Sequence, residues 1–347
     1  MPKSVVGLDI SSRRLLAVEV ENPDGKRPVL VRAHQVGLER DVAREGEVAD
    51  IDGFATALRR LWHEGGFKSK RVVLGVGNQR VLVRELVSPI MPLKQLREAL
   101  PFQVADLLPV PVEDTILDFY PIEQIEESHS PVMRGLLVAV LKEAIEAEVA
   151  TLLSVGLKVV GVDLAHFALL RGLKPSGVLA GTHTVVMIGA RTTHIVVARD
   201  GVPHFVRILP TGGESVTDAA ERSANGDRQL AENMKYSIGI ERGHEADYRA
   251  LTEGMLDALN VVFGAVRSTN NYYMTNDTGG EIQDVILLGP EVRMPGISRA
   301  MAEHIGLPVR VVSPLDGVQL GRNLATESLA PFALELATPI GLALGGK

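Results

Sequence analysis

The chain opens its two halves with the same pattern. Val5–Val20 reads VVGLDISSRRLLAVEV and His183–Ala198 reads HTVVMIGARTTHIVVA. Each is an apolar run, a short polar turn and a second apolar or β-branched run, which is the signature of a β-hairpin. Aligned turn on turn, Asp9 falls on Met187, Ile10 on Ile188, Ser11 on Gly189 and Arg13 on Arg191. The repeat lies about half the chain away, so the 347 residues are expected to form two similar domains. Strand and helix signals follow each hairpin. Ile51, Phe54, Leu58, Leu61 and Trp62 share one helical face, and Arg71–Gly77 is a short apolar run suited to a buried strand. In the second half Leu251, Met255, Leu259, Val262, Phe263 and Val266 mark a long amphipathic helix. Asp284–Gly289 is the matching buried strand, followed by a helix over Ile297–Ile305 and a strand over Pro308–Val312. Hairpins mixed with strand–helix units in both halves predict an α/β fold.

Glu85–Gly161 differs in character. Prolines at 89, 92, 101, 109 and 111 interrupt it, and Glu123–Ser130 reads as an acidic loop. Helical faces run through Leu93, Leu96, Leu100, Val104 and Leu107, and through Ile145, Val149, Leu152 and Leu153; Gly135–Leu141 is a strand candidate. The expected division is a first domain over 1–84 and 162–180, an inserted subdomain over 85–161, and a second domain over 181–347. The chain end is free to return to the first.

Composition removes several classes of function. There is no cysteine, so disulfides, thiol catalysis and Cys-ligated zinc are excluded, and a reducing compartment fits. The net charge of −7 argues against non-specific nucleic-acid binding. No apolar run approaches the about 20 residues of a membrane span; Gly135–Leu141 and Leu164–Leu170 are far shorter. Met1–Val6 leads into a strand-like run without a signal peptide's basic start. Membrane association is therefore expected through partners, not by direct insertion. His63, His166, His183, His194 and His204 lack metal-ligand spacing and read as surface or satisfied groups. Neither a Ser-His-Asp elbow nor a GxxxxGK[ST] loop is present.

The two turns carry the chemistry. Consecutive backbone N–H groups at a tight turn point into one concavity and bind phosphate, and small residues let it approach. Asp9, just before Ser11 and Ser12, is placed to hold Mg²⁺ through water. Gly189 and Ala190, followed by Thr192 and Thr193, offer a second turn. Facing turns are expected to clamp one nucleotide. Arg13 and Arg14 read as a solvated hairpin tip.

With these motifs the chain resembles the actin-like ATPase superfamily, and within it the PilM family of type IV pilus assembly. Gly7–Ser12 is similar to the first phosphate loop and Met187–Thr193 to the second. Phe205–Gly213 with Thr217 looks like the stretch that follows. Glu232 and Lys235 match the Glu-x-x-Lys pattern that flanks the adenosine, and Leu287–Gly296, through Gly289, resembles the adenosine loop. Leu107–Asp114 and Ala330–Leu344 point to the PilM family in particular. The resemblance implies an actin-like fold of two duplicated domains around a nucleotide cleft, with ATP and Mg²⁺ as cofactors. It also implies a groove between the first domain and the insert for the cytoplasmic tail of PilN, an inner-membrane protein, and the pilus motor ATPase as a further partner. Val87, Ile90, Leu96 and Leu100 are the candidate groove residues. The location implied is the cytoplasm, at the inner face of the membrane.

Departures from the family pattern weaken the chemistry. Ser11 replaces a glycine, Leu16 a phosphate-binding lysine, Met187 an acidic residue and Pro290 a glycine. Charge-assisted contacts of this kind carry transition-state stabilisation in phosphoryl transfer, so at most slow ATP hydrolysis is expected. An active kinase or ATPase of the same fold is the alternative, as is an FtsA-like filament-forming protein. The Gly-rich end Pro339–Lys347 is too short for FtsA's membrane helix.

Overall fold

A computed structural model describes residues 3–25, 27–39, 42–44, 47–127, 130–276 and 280–346. The first half begins with the antiparallel strands β1 (Ser4–Ile10), β2 (Arg14–Glu21) and β3 (Val29–Gly37). A short ribbon, β4 (Ala43–Arg44) and β5 (Glu47–Val48), leads to helix α1 (Ile51–Glu64) and strand β6 (Arg71–Val76). Asp50 caps α1 by accepting from the N–H groups of Asp52 and Gly53, which satisfies otherwise orphaned donors. Next comes a three-stranded unit: β7 (Val81–Pro89), α2 (Leu93–Gln103), β8 (Thr115–Glu127) and β9 (Ser130–Leu141). Helix α3 (Lys142–Ser154), strand β10 (Lys158–Leu164) and helix α4 (Ala165–Leu173) complete this half.

The second half repeats the plan. It runs β11 (Thr182–Ile188), β12 (Thr193–Arg199), β13 (Val202–Leu209), α5 (Gly213–Ser223), α6 (Arg228–Ser237), α7 (Arg249–Asn276), β14 (Asp284–Leu288), α8 (Ile297–Ile305) and β15 (Val309–Val311). The chain ends with β16 (Gln319–Leu320), α9 (Thr326–Leu329) and α10 (Ala337–Gly345). The sheet orders are β10-β6-β1-β2-β3-β16 and β13-β12-β11-β14-β15. In each, the opening hairpin and its third strand are antiparallel, while the strands on the other side of the first are parallel. The internal repeat in the sequence is thus a repeat of topology.

Both large sheets are covered on both faces, which is why their strands read as near-continuous apolar runs. Leu8, Leu15 and Ala17 pack on Phe54, Leu58 and Leu61 of α1. The alternate residues Leu16, Val18 and Val20 pack on Leu336, Ile340 and Ala343 of the chain end. In the second sheet Val186 and Ile188 face α5 and α7, while Val185 and Met187 face Leu169 and Leu173 of α4. Helices α4 and α10 therefore lie between the sheets. They cross backbone to backbone at Gly172 and Gly341, where an added Cβ would meet Ala337 O at 1.8 Å or Ala168 O at 1.7 Å.

Two sequence readings shift. The acidic stretch Glu123–Glu127 is not a loop but the end of strand β8, paired to β9. Arg134 at 3.3 Å and Arg199 at 3.0 Å meet Glu123, so the strand tolerates its charge. Ser128 and His129 of the expected loop lie outside the described residues. The three-stranded sheet runs from Val81 to Leu141 in the order β7-β9-β8, so it starts before Glu85. β10 pairs with β6 in the first sheet, so residues 158–161 belong there.

Candidate functional site

The hairpin turns after β1 and β11 face one another across a cleft of about 360 Å³. Both turns close with the same backbone bond: Ser11 N–H donates to Arg14 O at 3.0 Å, and Gly189 N–H to Thr192 O at 2.9 Å. Helix α5 docks on the second turn through Gly213 N–H to Gly189 O, 2.9 Å, and Glu214 N–H to Ala190 O, 2.8 Å. Gly212 permits this approach, since a Cβ there would lie 2.3 Å from Gly189 O.

Asp9, Ser11, Ser12, Gly189, Thr192, Glu232 and Lys235 all line the cleft, so residues chosen from distant parts of the sequence converge. Two of the candidates do not. Thr193 is buried, and its hydroxyl donates to Thr211 O at 2.8 Å. Gly289 stands behind the wall, against Ile188 O, with Pro290, Glu291 and Arg293 forming the surface instead. Lys235 is in the lining but not free. Its ammonium pairs with Glu291 at 2.8 Å, both side chains being buried, and also donates to Gly213 O at 3.0 Å and Thr217 Oγ1 at 3.1 Å. Of the departures, Leu16 is fully buried in the core, while Met187 and Pro290 sit in the lining.

Arg13 and Arg14 are not a solvated tip. Arg13 reaches across the cleft to Glu214 on α5 and to Glu232 on α6, the latter at 3.0 Å. Arg14 pairs with Glu335 from the segment preceding α10 and donates to Gln35 Oε1 at 3.0 Å. Sequence reasoning missed Glu214 and Glu335 because neither sits in a recognisable pattern. The alignment of Arg13 with Arg191 was the available signal.

Burial shapes the titratable groups of the deeper cleft. Burial pushes the Asp9 carboxyl up, against the opposing pull of Arg14. Burial likewise raises Glu335, again opposed by Arg14. Glu148 on α3 is 3% exposed, and burial, reinforced by Glu47, pushes its carboxyl up to about 8. His194 lines the cleft and lies 2.8 Å, Nδ1 to Nε2, from His166 on α4. Burial lowers His194 to about 4 and His166 well below its ordinary value, so the pair is neutral at pH 7. His166 and His183 are core groups; His183 bonds Asp284 at 2.8 Å and Ala180 O at 2.7 Å.

The lining fits a phosphate-bearing ligand in one specific respect. Ser12 Oγ is buried without a hydrogen-bond partner, a costly state for a hydroxyl that an incoming acceptor would relieve. Among the described residues no three His, Asp or Glu side chains gather into a metal cage. Asp9 with ligand phosphates fits a hydrated Mg²⁺, which needs only one or two carboxylates.

The surface of the three-stranded unit corrects the groove candidates. Leu96 and Leu100 are core residues, packed with Val104, Phe119 and Leu137. Val87 is half-buried, and Ile90 is exposed. Leu93, Phe102, Leu107 and Ile116 join Ile90 as exposed apolar groups, Phe102 at 87%.

The profile of the family described as type IV pilus assembly protein PilM matches residues 7–347. The chain belongs to the PilM family. A solved PilM-family structure, that of a PilM-PilN type IV pilus biogenesis complex, is 27% identical. It matches over 99% of this chain and 98% of its own, with a TM-score of 0.85. Cell division protein FtsA of Bacillus subtilis (strain 168) is 20% identical over 350 residues, covering 88% of this chain and 78% of FtsA. The actin-like fold also appears in MreB5 of Spiroplasma citri bound to ADP, at 12% identity over 91% of this chain and 94% of that one, TM-score 0.53. This PilM-family chain thus has the actin-like ATPase fold. Among its described residues no single helix is long and apolar enough to cross a membrane. The bent pair Thr326–Glu335 and Ala337–Gly345 reaches that length together, but α10 packs between the sheets.

Proposed function

We propose that the protein is a cytoplasmic scaffold of type IV pilus assembly that holds the tail of a PilN-type inner-membrane protein and meets the membrane only through such partners. The observations that carry this are the family match over residues 7–347 and end-to-end likeness to a chain of a PilM-PilN type IV pilus biogenesis complex. Residues 1–80 and 142–180 form one actin-like domain, residues 181–347 the other with its end returning to the first, and the unit around Val81–Leu141 is the insert. Its exposed Ile90, Leu93 and Phe102 are the apolar groups a short tail would cover. The cleft serves as a weak nucleotide site, Ser12, Thr192 and Asp9 meeting phosphate and Mg²⁺, with Mg²⁺ supplying charge neutralisation when bound. Hydrolysis is slow or absent, because Leu16 and Met187 remove a cation and a carboxylate from the site.

Co-purification tests the scaffold role. A detergent-solubilised PilN-type protein is expected to elute with this chain, and a version lacking its cytoplasmic tail is expected to elute alone. Equal retention of both versions would contradict it.

A further inference from the structure

The two arginines related by the internal repeat converge on one carboxylate. Arg13 leaves the turn after β1 and Arg191 the turn after β11, and each contacts Glu214 through its Nε, on Oε1 and Oε2 respectively. The Arg191 contact is 3.0 Å, and Arg228 lies 3.6 Å from the same carboxylate. Arg13 also holds Glu232 at 3.0 Å. Both arginines are half-exposed at the cleft mouth, and both line the cleft with the orphaned Ser12 hydroxyl. A carboxylate gripped by guanidinium groups from two opposed turns occupies the position of a bound anion, and guanidinium forks match phosphate as well as carboxylate. Arg13 and Arg191 thus bring two cations to the mouth of a cleft to which the buried Leu16 contributes none.

We propose that Arg13 and Arg191 form the phosphate seat of this cleft, that Glu214 fills the seat as an internal anion, and that a nucleoside polyphosphate binds by displacing it. This deepens the nucleotide reading above and rests on it. The seat gives the cleft a built-in competitor, so nucleotide affinity is set by how firmly Glu214 is held.

A double-mutant cycle read by calorimetric titration tests the seat, with ATP and adenosine as probes in the presence of Mg²⁺. Glu214→Gln removes the competing charge and leaves the shape. It is expected to tighten ATP about tenfold or more, since a charge-assisted contact is freed for phosphate, and to leave adenosine unchanged. Arg13→Ala is expected to weaken ATP, and the double variant is expected to lose the gain. Melting curves confirm that each variant is folded. A gain that persists in the double variant, or that adenosine shares, overturns the seat, because Glu214 would then act by general repulsion or by packing. ATP binding that none of these substitutions alters also overturns it while sparing the nucleotide cleft. Absence of ATP binding by every protein at millimolar concentration removes both.

Discussion

Gly341→Ala places a methyl group where α4 and α10 touch. The added Cβ would lie 1.7 Å from Ala168 O, 2.5 Å from Ala168 C and 2.8 Å from the Gly172 nitrogen. Every one of these atoms is backbone, so no side-chain rotation relieves the clash, and the helices must separate by well over an ångström. The sheet side is equally tight: a Cβ on Gly7 would meet Pro339 O at 2.0 Å, so α10 is seated against β1 as closely as against α4. Overpacking a core costs about 1–3 kcal/mol when side chains can adjust; here the expected loss is about 3 kcal/mol or more. At roughly 2 °C per kcal/mol for a chain of this size, Tm should fall by about 6 °C or more. Gly264→Ala on α7 is the control, because nothing lies within 4 Å of its added Cβ. Removing a helical glycine there should stabilise by about 0.5–1 kcal/mol. Both are read by thermal unfolding. A Gly341→Ala protein melting within about 1 °C of the parent would refute the close crossing.

Four further outcomes are expected. Lys235→Met strands the buried Glu291 carboxylate and should cost about 3–5 kcal/mol by denaturant titration. The raised carboxyl of Glu148 keeps its proton in the folded protein, so folding is penalised progressively as pH rises from about 4.5 to about 8. Glu148→Gln should therefore raise Tm at pH 8 and leave it unchanged at pH 4.5. The neutral His194 acts in the opposite direction: stability falls as pH drops from 6.5 towards about 4, and His194→Gln should flatten that limb of a Tm-against-pH profile. Leu96→Ala in the core of the three-stranded unit should cost about 2–5 kcal/mol, whereas Phe102→Ala should leave Tm nearly unchanged and weaken binding of the tail peptide.

The sequence carried the architecture because the hairpin repeat is local: apolar runs and a polar turn within about sixteen residues determine strand, turn and strand. The same locality let Asp9, Ser12 and Gly189 be placed in one cleft, while Glu232 came from the family resemblance. What it could not carry depends on distant partners. Arg13 looks like an exposed tip until α5 brings Glu214 to it, and Lys235 looks like a ligand-facing cation until Glu291, more than fifty residues on, captures it. Thr193 and Gly289 belong to the right motifs but lie off the cleft: the Thr193 hydroxyl is spent on Thr211 O, and Gly289 packs against the Ile188 backbone. Leu96 and Leu100 share the apolar character of a binding surface and of a core, and only Phe119 and Leu137 behind them decide which. The acidic run Glu123–Glu127 reads as a loop because the arginines that neutralise Glu123 lie on other strands.

The most direct measurement of the scaffold role is calorimetric titration of this chain with a synthetic peptide spanning the cytoplasmic tail of a PilN-type protein. The account predicts saturable one-to-one binding in the micromolar range, present without added nucleotide and abolished by scrambling the peptide. No heat of binding up to high micromolar peptide, or equal binding of the scrambled sequence, would contradict it.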